Sequence, residues 1–226
     1  MTTNIRITIE HDIDTENPAD YDHEWKPISF VSKFINHEDP EQYIKFEDGK
    51  IVPATKELKE KFEKGFAYLL DYYEHGLGLW SIHGHGPSCE WDNSSVAGIL
   101  VWNHKDEDMG ADTPETRMED AKRFLSRYSD WCNGTCHYFE VHEIEECSHC
   151  GHEVTKEIEV EGARQGHIGD DIEDGIEQAL YGLLLGDYPD IEIEYAGQGS
   201  WYGDHVKVPT PDDLAQARQR FAEIKA

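Results

Sequence analysis

Between His137 and Glu146 the chain reads HYFEVHEIEE, ten residues with no Gly, Pro, Asn or Asp on which to turn. Such a run extends. At about 3.3 Å per residue it covers roughly 30 Å. This constrains the fold because a cysteine pair stands at each end: Cys132 and Cys136 before it, Cys147 and Cys150 after it. Two short cysteine pairs around a β segment suit a structural zinc ribbon, in which thiolates lie about 2.3 Å from one tetrahedral Zn²⁺. All four thiolates reach one ion only if the chain reverses inside the run, or a bulge folds it. Two alternatives stay open. Cys147 and Cys150 sit at a hairpin tip and take His149 or His152 as further ligands, or all four cysteines are reduced thiols without metal.

The charge excludes several function classes. The chain has 226 residues, with 48 Asp and Glu against 20 Lys and Arg, a formal net charge of −28. Like-charge repulsion opposes direct binding to nucleic acid or to an anionic membrane. What remains is solvation, salt adaptation, or an acidic surface that competes for a basic, nucleic-acid-binding partner. A pI of about 4.6 is not extreme enough to favour salt adaptation. No apolar run near Met1 reads as a signal peptide, and no segment approaches the ~20 apolar residues of a membrane span. A reducing cytoplasm is expected, where thiols are free or metal-bound rather than paired.

Periodicity predicts an α+β fold, with a largely antiparallel sheet, about four helices and an acidic β-hairpin, in one domain over 1–226. A zinc-binding hairpin over 129–161 would lie within that domain. NIRITIE (4–10) alternates as a half-buried strand. ISFVSKFI, QYIKFED, LGLWSIH and VAGILVW also read as strands. The stripe Leu58, Phe62, Phe66, Leu69, Tyr73 predicts one helix over 55–76, capped by Thr55 and stopped by Gly76. A second helix is predicted over 113–134, with Thr113 as cap, Pro114 in the first turn and an end at Asn133-Gly134. CHYFEVHEIE and EVTKEIEVEG then form strands. A third helix buries Ile172, Ile176, Ala179, Leu180 and Leu183. IEIEYAG is a strand, and a fourth helix begins at Thr210-Pro211.

On the hairpin strands, Glu143 and Glu145 share one face, as do Glu157, Glu159 and Glu161, since side chains repeat every two residues. Such rows place carboxylates about 6.6 Å apart, a candidate binding strip or simply a solvated face. Segment 72–102 collects His75, His83, His85, Cys89 and Asp92. Two histidines at i, i+2 suit a shared metal, and a cysteine beside a histidine suits a nucleophile pair. A Gly-rich turn over an aromatic core explains the same residues without chemistry. No phosphate-binding Gly-rich loop, HExxH or GxSxG motif is present.

YYEHG, SCEWDNSSVAGILVW and WCNGTCHYFEV, in this order across roughly residues 68–170, resemble a group of small phage-encoded proteins. In that group a Tyr/Asp-His-Gly element precedes Cys-x-Trp-Asp-Ser, an apolar strand, a helix and Asn-Gly-x-x-Tyr. The matching positions are His75, Gly76, Cys89, Trp91, Asp92, Ser94, Gly98, Asn133, Gly134 and Tyr138. The paired cysteines and the HGHG run depart from the pattern. The resemblance implies a phage origin and not a mechanism.

Charge and resemblance together point to an acidic phage accessory protein in the host cytoplasm. It would bind a basic host protein, as a nucleic-acid mimic that inhibits a defence or DNA-handling protein. A metal-dependent or Cys/His hydrolase around His75–Asp92 is the alternative, and a virion or assembly component a third. Any zinc on Cys132, Cys136, Cys147 and Cys150 would be structural, because tetrathiolate ligation leaves no open position.

Overall fold

The structure is a computed structural model that describes residues 3–21, 25–87, 91–105, 110–147, 149–169, 171–185, 191–197 and 215–216. In chain order its strands and helices are β1 (Thr3–His11), β2 (Trp25–Ser29), β3 (Ile44–Glu47), β4 (Lys50–Pro53) and α1 (Lys56–Lys64). Next come β5 (Ala67–His75), β6 (Leu77–Ile82), β7 (Asn93–Trp102) and α2 (Pro114–Cys132). The last are β8 (Cys136–Glu146), β9 (Glu153–Ile158), β10 (His167–Ile168), α3 (Asp171–Leu185) and β11 (Ile191–Gly197). Cα positions cluster as two compact units within the chain. One is split, Met1–Thr15 with Gly134–Ala226, and the other, Glu16–Asn133, is inserted into it.

The inserted unit is built on a four-stranded antiparallel sheet in the order β2-β7-β5-β6. Trp25, Leu70, Trp80, Leu100 and Trp102 pack on one face against Ala121, Phe124, Leu125 and Tyr128 of α2. Leu58, Ala67, Ile99 and Val101 form a smaller cluster that includes α1. Each fully buried Leu, Ile or Phe contributes about 1.5–3 kcal/mol over its exposed state.

Local chemistry explains α2. The Thr113 and Thr116 side chains close a capping box, and Pro114 opens the helix. The far end of α2 acts on the sheet edge. Asn133 accepts from Gly78 N–H and donates to Gly78 C=O, both at 2.8 Å, and Ser129 Oγ accepts from Trp80 N–H at 2.9 Å. Side chains of the helix thus take up backbone groups of β6 that a neighbouring strand would otherwise pair.

In the split unit β1 lies between β8, antiparallel, and β11, parallel. β9 and β10 pair with β8 on its other edge. Ile5, Ile7, Phe139 and Val141 are almost fully buried on one face, against Ile172, Ile176, Ala179 and Leu180 of α3. Asp171, Glu173 and Asp174 in the first turn of α3 complement its positive dipole end.

The expected α+β class is corrected. The described residues form mostly antiparallel sheets with three helices of 9, 19 and 15 residues, not a sheet packed with four helices. The fourth expected helix, from Thr210, falls outside the described residues apart from 215–216. The main cause is residues 55–76, expected as one helix. The helix stops at Lys64, because Gly65 adopts the left-handed conformation (φ 76°) and its N–H caps Lys61 and Phe62 carbonyls. Ala67–His75 is instead a strand inside the sheet, and seven of its residues in a row are buried or half-buried. An apolar run buried on both faces contains a helical stripe by coincidence. The strand expected in QYIKFED is β3, but its partner β4 and the hairpin turn between them were unforeseen. Asp48 and Gly49 both take positive φ, the Asp-Gly signature of a tight turn.

Replacing Asn133 with Ala leaves the N–H and C=O of Gly78 without their partner. Chemical denaturation should show a loss of about 2–3 kcal/mol, the cost of two half-buried unpaired groups.

Candidate functional site

A single carboxylate organises the open end of the inserted sheet. Asp71 lies in β5, where the pairing with β7 slips between Leu70 and Tyr72, and it faces Ser81 on β6. It is only 5% exposed. A charge so placed is tolerated only with strong partners, and Asp71 has three. His83 Nδ1–H donates at 2.8 Å, Gly84 N–H at 2.9 Å and Val96 N–H at 2.9 Å. Burial pushes the Asp71 pKa up. The Gly84, His83 and Val96 donors outweigh it and hold the carboxyl below its ordinary value.

Two of the donors sit in uncommon backbone conformations. Gly84 has φ 77°, which allows the His-Gly-His-Gly segment to turn its N–H back to Asp71. Val96 has φ 54°, a true outlier for a β-branched residue, costing about 1–3 kcal/mol. Its charge-assisted bond to Asp71 offsets that strain.

The His83 side chain remains 45% exposed. Because an ionised Asp71 only accepts, Nδ1 carries the proton, and Nε2 of neutral His83 is left as an acceptor. Such a nitrogen can take a proton from water or a substrate, or bind a metal, with Asp71 fixing ring and tautomer.

The other expected site residues are dispersed. His75 meets Asp92 at 3.1 Å, but its side chain is 74% exposed, so water weakens the pair. His85 is exposed, and Cys89 lies outside the described residues. Among the described residues, no three His, Cys, Asp or Glu side chains stand together as a ready metal-binding group.

The question of the ten-residue run is answered by β8. It continues unbroken through eleven residues and pairs with β1 from His137 to Ile144. The chain does not reverse there. Cys136, buried, and Cys147, half-buried, occupy opposite ends, roughly 36 Å apart at strand spacing. Cys136 is therefore not brought to Cys147 and Cys150, which share a turn with His149 and His152.

The acidic rows also separate. Glu143 pairs with Lys156 in register, on the face that carries Ile5 and Val141, whereas Glu157 lies on the other face opposite His142. Arg164 binds Glu157 at 2.8 Å and Glu140 at 2.9 Å. Glu145 is exposed and stands opposite Val154, while Glu159 and Glu161 follow the end of β9. Glu143, Glu145, Glu157, Glu159 and Glu161 do not make one strip.

The inserted unit also holds a cavity of about 550 Å³, lined in part by Lys26, Asn36, Tyr43, Leu58 and Lys61. Both lysines donate to backbone carbonyls, of Ala19 and Trp102, and so are already engaged. Tyr43 donates to Glu38 at 2.6 Å; burial and that carboxylate push its pKa up to about 12.

Comparison with known proteins returns no matching family model, no matching curated protein and no matching solved structure.

Sequence reasoning named His83 but missed Asp71 and Val96. A signal for Asp71 was present: it is the lone charge in AYLLDYY, a stretch otherwise apolar and aromatic. Nothing in the sequence marks Val96.

Asp71→Ala should cost about 2–3 kcal/mol by orphaning two backbone N–H groups. The folded pKa of Asp71 is depressed, so its contribution is complete above the unfolded value of about 3.9 and lost as pH falls through the lower folded value. Asp71→Asn should therefore flatten the acid limb of a stability-against-pH curve, measured by urea denaturation.

Proposed function

We propose that the protein acts by binding a basic partner protein, presenting carboxylates where that partner meets phosphates. One observation carries this reading: in a chain of charge −28, the described cations are largely spent on internal partners. Arg6 pairs with Glu153, Lys33 with Glu74, Lys122 with Glu119 and Arg123 with Asp120, and Arg164 spans two glutamates. Arg117 lies over the Phe66 ring and donates to the carbonyls of Lys64, Ala111 and Asp112. Among the described residues Asp71 is the one buried carboxylate, so the rest of the described carboxylates reach solvent.

Exposed apolar groups supply anchors of the kind that dominate interface energies: Trp91 is 89% exposed and Ile35 97%. The proposed partner is a host defence or DNA-handling protein with a basic cleft, met in the host cytoplasm by a phage accessory protein. Steering by opposite charge makes such association fast and salt-sensitive. No helix in the described residues is long and apolar enough to cross a membrane. The test is capture from host lysate at low salt, followed by elution with duplex DNA. A basic protein retained at low salt and displaced by both DNA and added salt is expected. A captured partner that resists both sinks the mimic reading.

The Asp71–His83 pair favours a second reading, hydrolysis with His83 as general base. It predicts turnover of chromogenic esters or phosphoesters that is abolished by His83→Ala and kept by His75→Ala. No turnover, or equal loss in both variants, rejects it.

A further inference from the structure

The turn that joins β8 to β9 departs from the rest of the acidic hairpin. The ladder reaches Glu146 opposite Glu153, and Cys147 N–H donates to His152 C=O at 2.8 Å, one step further. Cys147 and His152 therefore face each other in register. Directly opposed residues of an antiparallel pair have Cβ atoms about 4.5–5.5 Å apart, on the same side of the hairpin. Gly151, at φ 68°, closes the turn and donates to Cys147 C=O at 2.8 Å.

Inside this turn the backbone N–H groups of His149 and Cys150 point at the Cys147 sulfur, and the Cys150 thiol hydrogen-bonds to it as well. The turn is thus arranged around the Cys147 sulfur, with a second sulfur beside it.

We propose that this turn is a binding site for one borderline-soft divalent cation of the zinc type, with Cys147, Cys150 and His152 as ligands and water in the fourth position. Two cysteines in a tight Cys-x2-Cys-Gly turn, with backbone N–H groups aimed at the first sulfur, form half of a tetrahedral site. Imidazole is the nitrogen ligand that suits the same ions. His152 stands across from Cys147; the three side chains are not gathered in this structure and would close on the ion when it binds. Exposed Glu145 adds negative charge beside the turn and favours a cation. Cys136 has no part, since β8 holds it at the far end of the strand. The site stands independently of partner binding, and its water-bearing fourth position sets it apart from a closed four-cysteine ribbon.

Cobalt titration of the reduced full-length protein tests this, because thiolate-bound cobalt shows a charge-transfer band and tetrahedral cobalt a visible one. Both bands should saturate at one equivalent, and zinc should displace the cobalt. Cys147→Ser and Cys150→Ser should each weaken binding at least about 100-fold, more than loss of an outer hydrogen-bond partner costs. His152→Ala should weaken it about 10- to 100-fold while the charge-transfer band persists. The substitutions lie at a hairpin turn, and circular dichroism should show the fold unchanged. The absence of a band in reduced wild-type protein overturns the site. So does a band that survives in the Cys147→Ser/Cys150→Ser double variant, which retains Cys132 and Cys136. An unchanged affinity in His152→Ala removes that residue from the ligand set.

Discussion

The Asp71 carboxylate is the interaction on which the inserted unit most depends. It ties together three chain segments at one point: the bulge in β5, the glycine-rich turn after β6 and the early part of β7. Carrying a charge out of water is unfavourable unless its lone pairs are met. Satisfying that one carboxylate requires Val96 to hold a strained backbone and Gly84 a left-handed one. The same arrangement leaves His83 half in solvent, with a fixed tautomer. A structural requirement and a chemical capability thus share one set of atoms.

A second constraint is how the sheets end. The β6 edge is met by Ser129 and Asn133 of α2, so a helix terminus does the work of a strand. This gives a physical role to Asn133, which the sequence marks only as the end of a helix. In the split unit, β8 is a continuous member with β1 along one edge and β9 and β10 along the other. Its unbroken run keeps Cys136 from the Cys147 turn. It also sends Glu143 and Glu157 to opposite faces, so the acidic character of the hairpin is spread rather than concentrated.

Much of this fold was legible from local pattern. β1, β6, β7 and β8, and the helices α2 and α3, follow from alternation, caps and helical stripes. The failure at residues 55–76 is instructive. Leu69 and Tyr73 satisfy a helical period and belong to a strand, because a segment flanked by strands is apolar on both faces and fits either period. Gly65 was the decisive residue, and its left-handed cap outweighs the stripe. At the site, His83 was legible as a chemistry-bearing residue, but its partner Asp71 lies twelve positions earlier and meets it only through the β5–β6 pairing.

By itself the sequence determined the charge, the strand character of the turn-free run and the pairing of Cys147 with Cys150 in one short turn. These depend on composition and on neighbours within a few residues. The tertiary structure alone decided that Cys136 stays apart from that turn, that Glu143 and Glu157 face opposite ways, and that Asp71 is buried with His83 above it. Each of those outcomes is set by strand register, and register is chosen by burial of side chains far apart in the chain.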